Sequence, residues 1–295
     1  MCSIGGWISN QPLDPKVSAR LSTALVYYGS PRGQQSSGIW SAGHIVKRAM
    51  QPAKFIGIRA VDELLAKPSN LALTHTRQPT SGGTGDQQAQ PFRLGNTITV
   101  HNGCISNDGV LKEKYRLTKA SGVDSELFAS FIDTHGITKL PEFLDDMVGS
   151  AAVACVSNNE LYLIRKGNPL EYLFIDIGTE KVMIFASTED QVLHTARSAY
   201  LIPPHTRTIT VKWGSILRAE PTTVTTLHEC PSYTTMVYPP ITEYHGEKHP
   251  TWYERQEQER LASAASAAHG YRKKIKWDNK KQRFLDAKTG EDFIV

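Results

Sequence analysis

The chain reads as an α+β protein built from layered antiparallel sheets. Short apolar or alternating runs recur between turn signals, and helical periods are interleaved among consecutive strands rather than separating every pair. That arrangement indicates layers of antiparallel sheet, not a parallel βαβ fold. At 295 residues, 40% hydrophobic and 21% charged, the chain also has the size and composition for a real core in one large or two ordinary domains.

The elements follow in order. Gly6-Trp7-Ile8-Ser9 leads into a helix predicted from about Pro15 to Tyr28, where Val17, Leu21, Leu25 and Tyr28 recur at helical spacing. Strands are expected around Gly38-Ile39-Trp40 and His44-Ile45-Val46, then over Leu71–Thr76 and Thr97–His101, with a glycine-rich loop at Ser81–Asp86. Asp124-Ser125-Glu126 opens a helix reaching about Thr134, its acids suited to the helix dipole. Four strands are expected next, at Ala151–Ser157, Leu161–Arg165, Tyr172–Ile177 and Val182–Ala186. Ser187-Thr188-Glu189-Asp190 then caps a helix through Arg197. Arg207–Val211 and a last strand at Gly214–Arg218 close the pattern.

After Glu220 the character changes. Pro239-Pro240 and His249-Pro250 mark a linker, Tyr253–His269 has helical composition, and apolar residues from Ile275 to Ile294 alternate across turns as a small β-meander. Between Arg272 and Arg283 seven bases (Arg272, Lys273, Lys274, Lys276, Lys280, Lys281, Arg283) face only Asp278, with Tyr271 and Trp277 interleaved. A solvated face of a small β unit is favoured there over a nucleic-acid contact.

Composition excludes several classes. No apolar run approaches the ~20 residues of a membrane helix. The N-terminus lacks the basic start and apolar stretch of a signal peptide. Four scattered cysteines (Cys2, Cys104, Cys155, Cys230) make neither a disulfide scaffold nor a zinc knuckle, so a reducing, cytoplasmic setting is predicted. His44, His101, His228, His245 and His249 show no metal-ligand spacing. No metal and no cofactor are expected.

Four features carry chemistry together. Removal of Met1 would leave Cys2 with a free α-amine beside its thiol, and an amine with a pKa near 8 can serve as base at neutral pH. Arg77, at a strand end, can hold a carboxylate through paired hydrogen bonds; otherwise it is a surface ion-pair residue. Asn102 and the Gly103 N–H can face one developing oxyanion, unless Asn-Gly is only a hairpin turn. Asp124 is either a helix N-cap or an acceptor for a substrate ammonium.

Residues 2 to about 219 resemble the class II glutamine amidotransferase domain, an N-terminal-nucleophile hydrolase, with likeness to the glutaminase domains of glucosamine-6-phosphate synthase and amidophosphoribosyltransferase. The resemblance runs through Cys2-Ser3-Ile4-Gly5-Gly6, Arg32–Ile39, His75–Thr80, Gln90-Pro91, Val100–Asn107 and Asp124-Ser125-Glu126. Gly149-Ser150-Ala151, Arg165–Leu170 and Phe185-Ala186-Ser187 continue it. It implies a four-layer αββα sandwich of two antiparallel sheets over residues 2–219, with residues 220–295 as a short C-terminal extension. It also implies glutamine as substrate, Cys2 as nucleophile, and Asn102 and Gly103 as oxyanion donors. Arg77, Thr80 and Asp124 would bind the substrate.

Departures from the family pattern are local. Gln78, Pro79, Thr80 and Ser81 follow the arginine where the family often has Trp, a small residue, then Thr-His. Gln35 stands where an acid is usual, and Gln90 replaces a common histidine. Cys104 is expected as a packed small hydrophobe rather than a second nucleophile. The leading expectation is a glutaminase subunit delivering ammonia to a separate acceptor enzyme, because 75 residues are too few for a synthase domain. A hydrolase of another γ-glutamyl amide, and a non-catalytic assembly protein on the same fold, stand as alternatives.

Overall fold

The computed structural model describes residues 2–79, 83–200, 202–203, 205–229, 275–278 and 283–286, the last two segments as backbone only. The chain divides into Met1–Tyr233 and Thr234–Val295.

The first unit is two stacked antiparallel sheets. A seven-stranded sheet has the order β11-β9-β10-β1-β4-β2-β3 and a six-stranded sheet the order β13-β12-β8-β7-β6-β5. In the first, β1 (Ser3–Leu13) lies between β4 (Ser69–Arg77) and β10 (Glu180–Ala186), flanked by β2 (Ser36–Ser41), β3 (His44–Arg48), β9 (Glu171–Ile177) and β11 (Ile209–Thr210). The second contains β5 (Phe92–Leu94), β6 (Thr97–Ile105), β7 (Gly149–Ser157), β8 (Glu160–Lys166), β12 (Ser215–Ala219) and β13 (Val224–Glu229).

Strand alternation sorts the side chains into layers. Ile4, Leu71, Leu73, Ile98, Val100, Ala152, Ala154 and Phe185 meet in the core between the sheets. The opposite face of the seven-stranded sheet presents Trp7, Ala72 and Ile184 to α1 (Pro15–Gly29) and α7 (Glu189–Ala199), which supply Leu21, Leu25, Val192 and Ala196. Val153, Cys155 and Ile164 of the other sheet meet Phe128, Phe131 and Phe143 from α5 (Glu126–His135) and α6 (Leu140–Asp146). The layers are therefore helix, sheet, sheet, helix, as the resemblance implies.

Local chemistry explains the boundaries. Asp14 caps α1, accepting from Lys16 N at 2.8 Å, with Pro15 opening the helix. Thr188 caps α7, its side chain accepting from Gln191 N at 3.3 Å. The sequence reading misses the short helices α2 (Pro52–Phe55), α3 (Arg59–Leu65), α4 (Asp108–Lys114) and α6, the short strand β5, and β13, which extends the six-stranded sheet past the strand expected to be last. β13 alternates weakly because most of it is exposed.

In the second unit β14 (Ile275–Asp278) pairs antiparallel with β15 (Arg283–Asp286), with Trp277 opposite Phe284. The expected linker, the helical stretch Tyr253–His269 and the side chains of the basic tail lie outside the described residues.

Candidate active site

Strand parity and register bring the predicted side chains to one place. β1 and β4 run antiparallel with Ser3 opposite Thr76, so the register continues to Cys2 opposite Arg77. Cys2 shares the face of Ile4, and Arg77 that of Leu73 and His75, so both turn toward the gap between the sheets. Asn102 shares the face of Ile98 and Val100 on β6 and turns into the same gap from the other sheet. The sheets are tied there by a hydrogen bond from His75 Nε2 to His101 O, 3.2 Å. The site is thus the end of the intersheet layer, reached by three strands.

The start of β1 is held from several sides. Ser3 Oγ donates to Gln191 Oε1 at 2.7 Å, and Gln191 Nε2 donates to Leu25 O at 2.8 Å, joining β1, α7 and α1. Ile4 N donates to Ser187 Oγ at 2.9 Å, and Arg32 Nε to Cys2 O at 2.9 Å. The Cys2 thiol is half-buried and lies 3.5 Å from the Gln78 carbonyl, to which it donates. Burial pushes this thiol above its ordinary range, against the opposing hydrogen bond and the Arg77 charge. It is held as a thiol, so attack requires a base.

Arg77 is 3% exposed. Its Nη1 donates to Gly83 O at 2.9 Å and to Gln35 Oε1 at 3.2 Å. Asp124 is 7% exposed and makes no ion pair among the described residues. Its carboxylate accepts from Ile105 N at 2.8 Å and Ser125 N at 2.9 Å. It does not cap α5 with its side chain; Ser125 occupies the cap position. A buried carboxylate held only by neutral donors is a ready acceptor for an ammonium.

The expected Asn-Gly turn does not form. β6 continues to Ile105, with Asn102 opposite Ala152 and Gly103 opposite Ala151. Asn102 is 1% exposed, and its Nδ2 has no hydrogen-bond partner among the described residues. Its main-chain oxygen accepts from Asn168 Nδ2 at 2.7 Å. Strand alternation turns the N–H groups of His101, Gly103 and Ile105 to one edge. Gln90 Oε1 takes that of His101 (2.7 Å) and Asp124 Oδ2 that of Ile105, and Gly103 lies between them. Any Cβ on Gly103 would fall onto the Ser150 carbonyl oxygen and His101 Nε2.

A buried polar layer supports this edge. Gln90 Nε2 donates to His101 O at 3.1 Å and to Ser125 Oγ at 3.2 Å, and Ser125 Oγ sits 2.8 Å from His101 Nδ1. Burial drives His75 down to about 3 and His101 below its ordinary value, so neither imidazole carries charge near neutrality. Cys104 departs from expectation: it is exposed, not packed. Thr80 lies outside the described residues. Of the supporting groups, Gln191 had a sequence signal that went unread, a long polar side chain on the apolar face of α7.

Known proteins are similar to this chain over part of its length. Residues 75–194 match the model described as a glutamine amidotransferase domain. That stretch is homologous to glutamine amidotransferase domains. The domain is 27% identical over 206 residues to the 7-cyano-7-deazaguanine synthase of Sulfolobus acidocaldarius, covering 64% of this chain and 44% of that protein. It is 31% identical over 144 residues to the amidophosphoribosyltransferase of Haemophilus influenzae, covering 46% of this chain and 28% of that protein. The chain thus spans less than half the length of these relatives. The glutamine phosphoribosylpyrophosphate amidotransferase of B. subtilis shares the fold, with a TM-score of 0.53 and 20% identity over 77% of this chain and 48% of that one. No described helix is long and apolar enough to cross a membrane.

Proposed function

We propose that this glutamine amidotransferase domain hydrolyses the side-chain amide of glutamine through a Cys2 thioester and passes the ammonia to a separate acceptor enzyme. The unpartnered Asn102 Nδ2, buried beside Gly103 in the gap that Cys2 and Arg77 face, carries the reading. An unsatisfied buried donor costs free energy unless an acceptor arrives, and an oxyanion formed at the site is such an acceptor.

In this mechanism the mature chain begins at Cys2. Its α-amine takes the thiol proton, the sulfur attacks the amide carbon, and the negative charge gathers on the amide oxygen between Asn102 Nδ2 and Gly103 N–H. Protonation of the nitrogen releases ammonia, and water then cleaves the thioester to glutamate. Burial lowers the proton affinity of both histidines, which leaves the amine as the stronger base. Arg77 takes the substrate α-carboxylate and Asp124 its α-ammonium, with Thr80 beside them. The relatives named above hold more than half of their length outside the matched region, and an enzyme of that synthase or transferase kind is the proposed acceptor.

Purified chain, its N-terminus checked by intact mass, should form glutamate and ammonia from glutamine in equal amounts. Cys2→Ala should abolish both. Retained hydrolysis in that variant sinks the mechanism. Preferential turnover of larger γ-glutamyl amides would instead favour the alternative substrate.

A further inference from the structure

Gln35 occupies a position that the proposed reaction does not use. It follows the short 3-10 helical turn Ser30–Arg32 and is half-buried beside the candidate substrate arginine. Its main-chain N–H donates to Arg77 O at 2.9 Å. Its side chain is used at both ends: Oε1 accepts from Arg77 Nη1 at 3.2 Å, and Nε2 donates to Thr84 O at 2.6 Å. Arg77 Nη1 also donates to Gly83 O, the neighbouring carbonyl of the same loop. One residue therefore joins the main chain of Arg77 through its own N–H, and the guanidinium and Thr84 through its side-chain amide.

From this geometry we infer that Gln35 is a positioning and specificity residue, which aims Arg77 at an α-carboxylate without setting a negative charge of its own against the guanidinium. The inference rests on the hydrolase reading given above. The amide is suited to both tasks because it accepts at one end and donates at the other. A carboxylate of the same shape could accept from Arg77 but would place a second oxygen against the Thr84 carbonyl, with no proton to share. It would also pair with the guanidinium and compete with the substrate carboxylate. A neutral group here thus makes Arg77 a stronger anion receptor, and a substrate lacking the α-carboxylate would not sense the difference. The side chain lies outside the nucleophile and oxyanion set, so its effect belongs in substrate binding rather than in turnover.

Steady-state hydrolysis of L-glutamine and of L-glutaminamide, which lacks the carboxylate, tests the inference. Gln35→Glu should raise KM for glutamine about 10- to 100-fold with kcat within about threefold. Its kinetics with glutaminamide should stay close to wild type. Gln35→Met, uncharged and of similar length, should raise KM for glutamine less, and it replaces the glutamate variant if the latter loses cooperative unfolding. Unchanged KM for glutamine in both, or equal losses with the two substrates, overturns the role of Gln35. A wild-type chain inert toward glutamine overturns the hydrolase reading itself, a distinct result.

Discussion

Asn102 shows how one side chain acquires its chemistry from its surroundings. Its main-chain oxygen is fixed by Asn168, and the strand face it occupies aims its amide into the intersheet gap, where Nδ2 meets no acceptor among the described residues. A donor fixed in advance needs no reorganisation when the charge forms. Asn102→Ala should therefore lower kcat by two to three decades, on the order of 3–4 kcal/mol in barrier, with little change in KM. Asn102→Asp should fall as far, because it offers a second negative charge to an oxyanion. Equal kcat in wild type and the alanine variant, measured by ammonia release, would remove Asn102 from the mechanism. Cys2, Arg77, Asn102 and Asp124 were all legible as residue types with suitable chemistry. What the residues alone left open was whether they meet: Asn-Gly reads equally as a turn, and Asp before a helix equally as a cap.

Register and parity resolve those ambiguities at the level of strands. In β6 the fixed alternation puts Asn102 on the face of Val100 and Gly103 on the other, so a one-residue slip would exchange their surroundings. Gly103 marks a close approach of β6 and β7: a side chain there would meet the Ser150 main chain, which cannot swing aside as a side chain could. Gly103→Ala should thus destabilise the fold by about 1–3 kcal/mol and displace both proposed oxyanion donors. Chemical denaturation and glutaminase assay together check this; wild-type stability with wild-type activity would refute the packing reading. The strands themselves were readable from alternation and apolar content, the helices from caps at Asp14 and Thr188. Strand order was not, because β1 pairs with β4 and β10 across long stretches of chain, contacts that no local pattern encodes. Gln191 shows the same limit in part: its place on the apolar face of α7 was a local signal, but its partners, Ser3 and Leu25, come from β1 and α1.

Across the whole first unit, the end of the sandwich that faces Cys2 concentrates buried polar groups that an ordinary apolar core would exclude, and this has a cost in acid. His75 joins the sheets as a neutral ring with its pKa lowered to about 3 by burial, and His101 is lowered by the same cause. Because the unfolded chain takes up a proton near the ordinary histidine value of about 6.5 and the folded chain does not, the stability from each neutral ring is complete above that pH and declines as pH falls toward the folded value. Between pH 6.5 and 5, His75 alone should cost the fold about 1–2 kcal/mol. His75→Gln keeps a donor able to reach the His101 carbonyl but does not titrate, so its unfolding free energy should fall less steeply over this interval. Urea unfolding at pH 7.5, 6.5, 5.5 and 5 measures both slopes, and parallel slopes would show that His75 is not the group responsible. The same neutrality bears on activity. If neither imidazole ionises between pH 6 and 9, the rise of kcat/KM with pH belongs to the Cys2 α-amine, with a midpoint near its ordinary value of about 8, and His75→Gln should leave that midpoint in place while changing the acid stability.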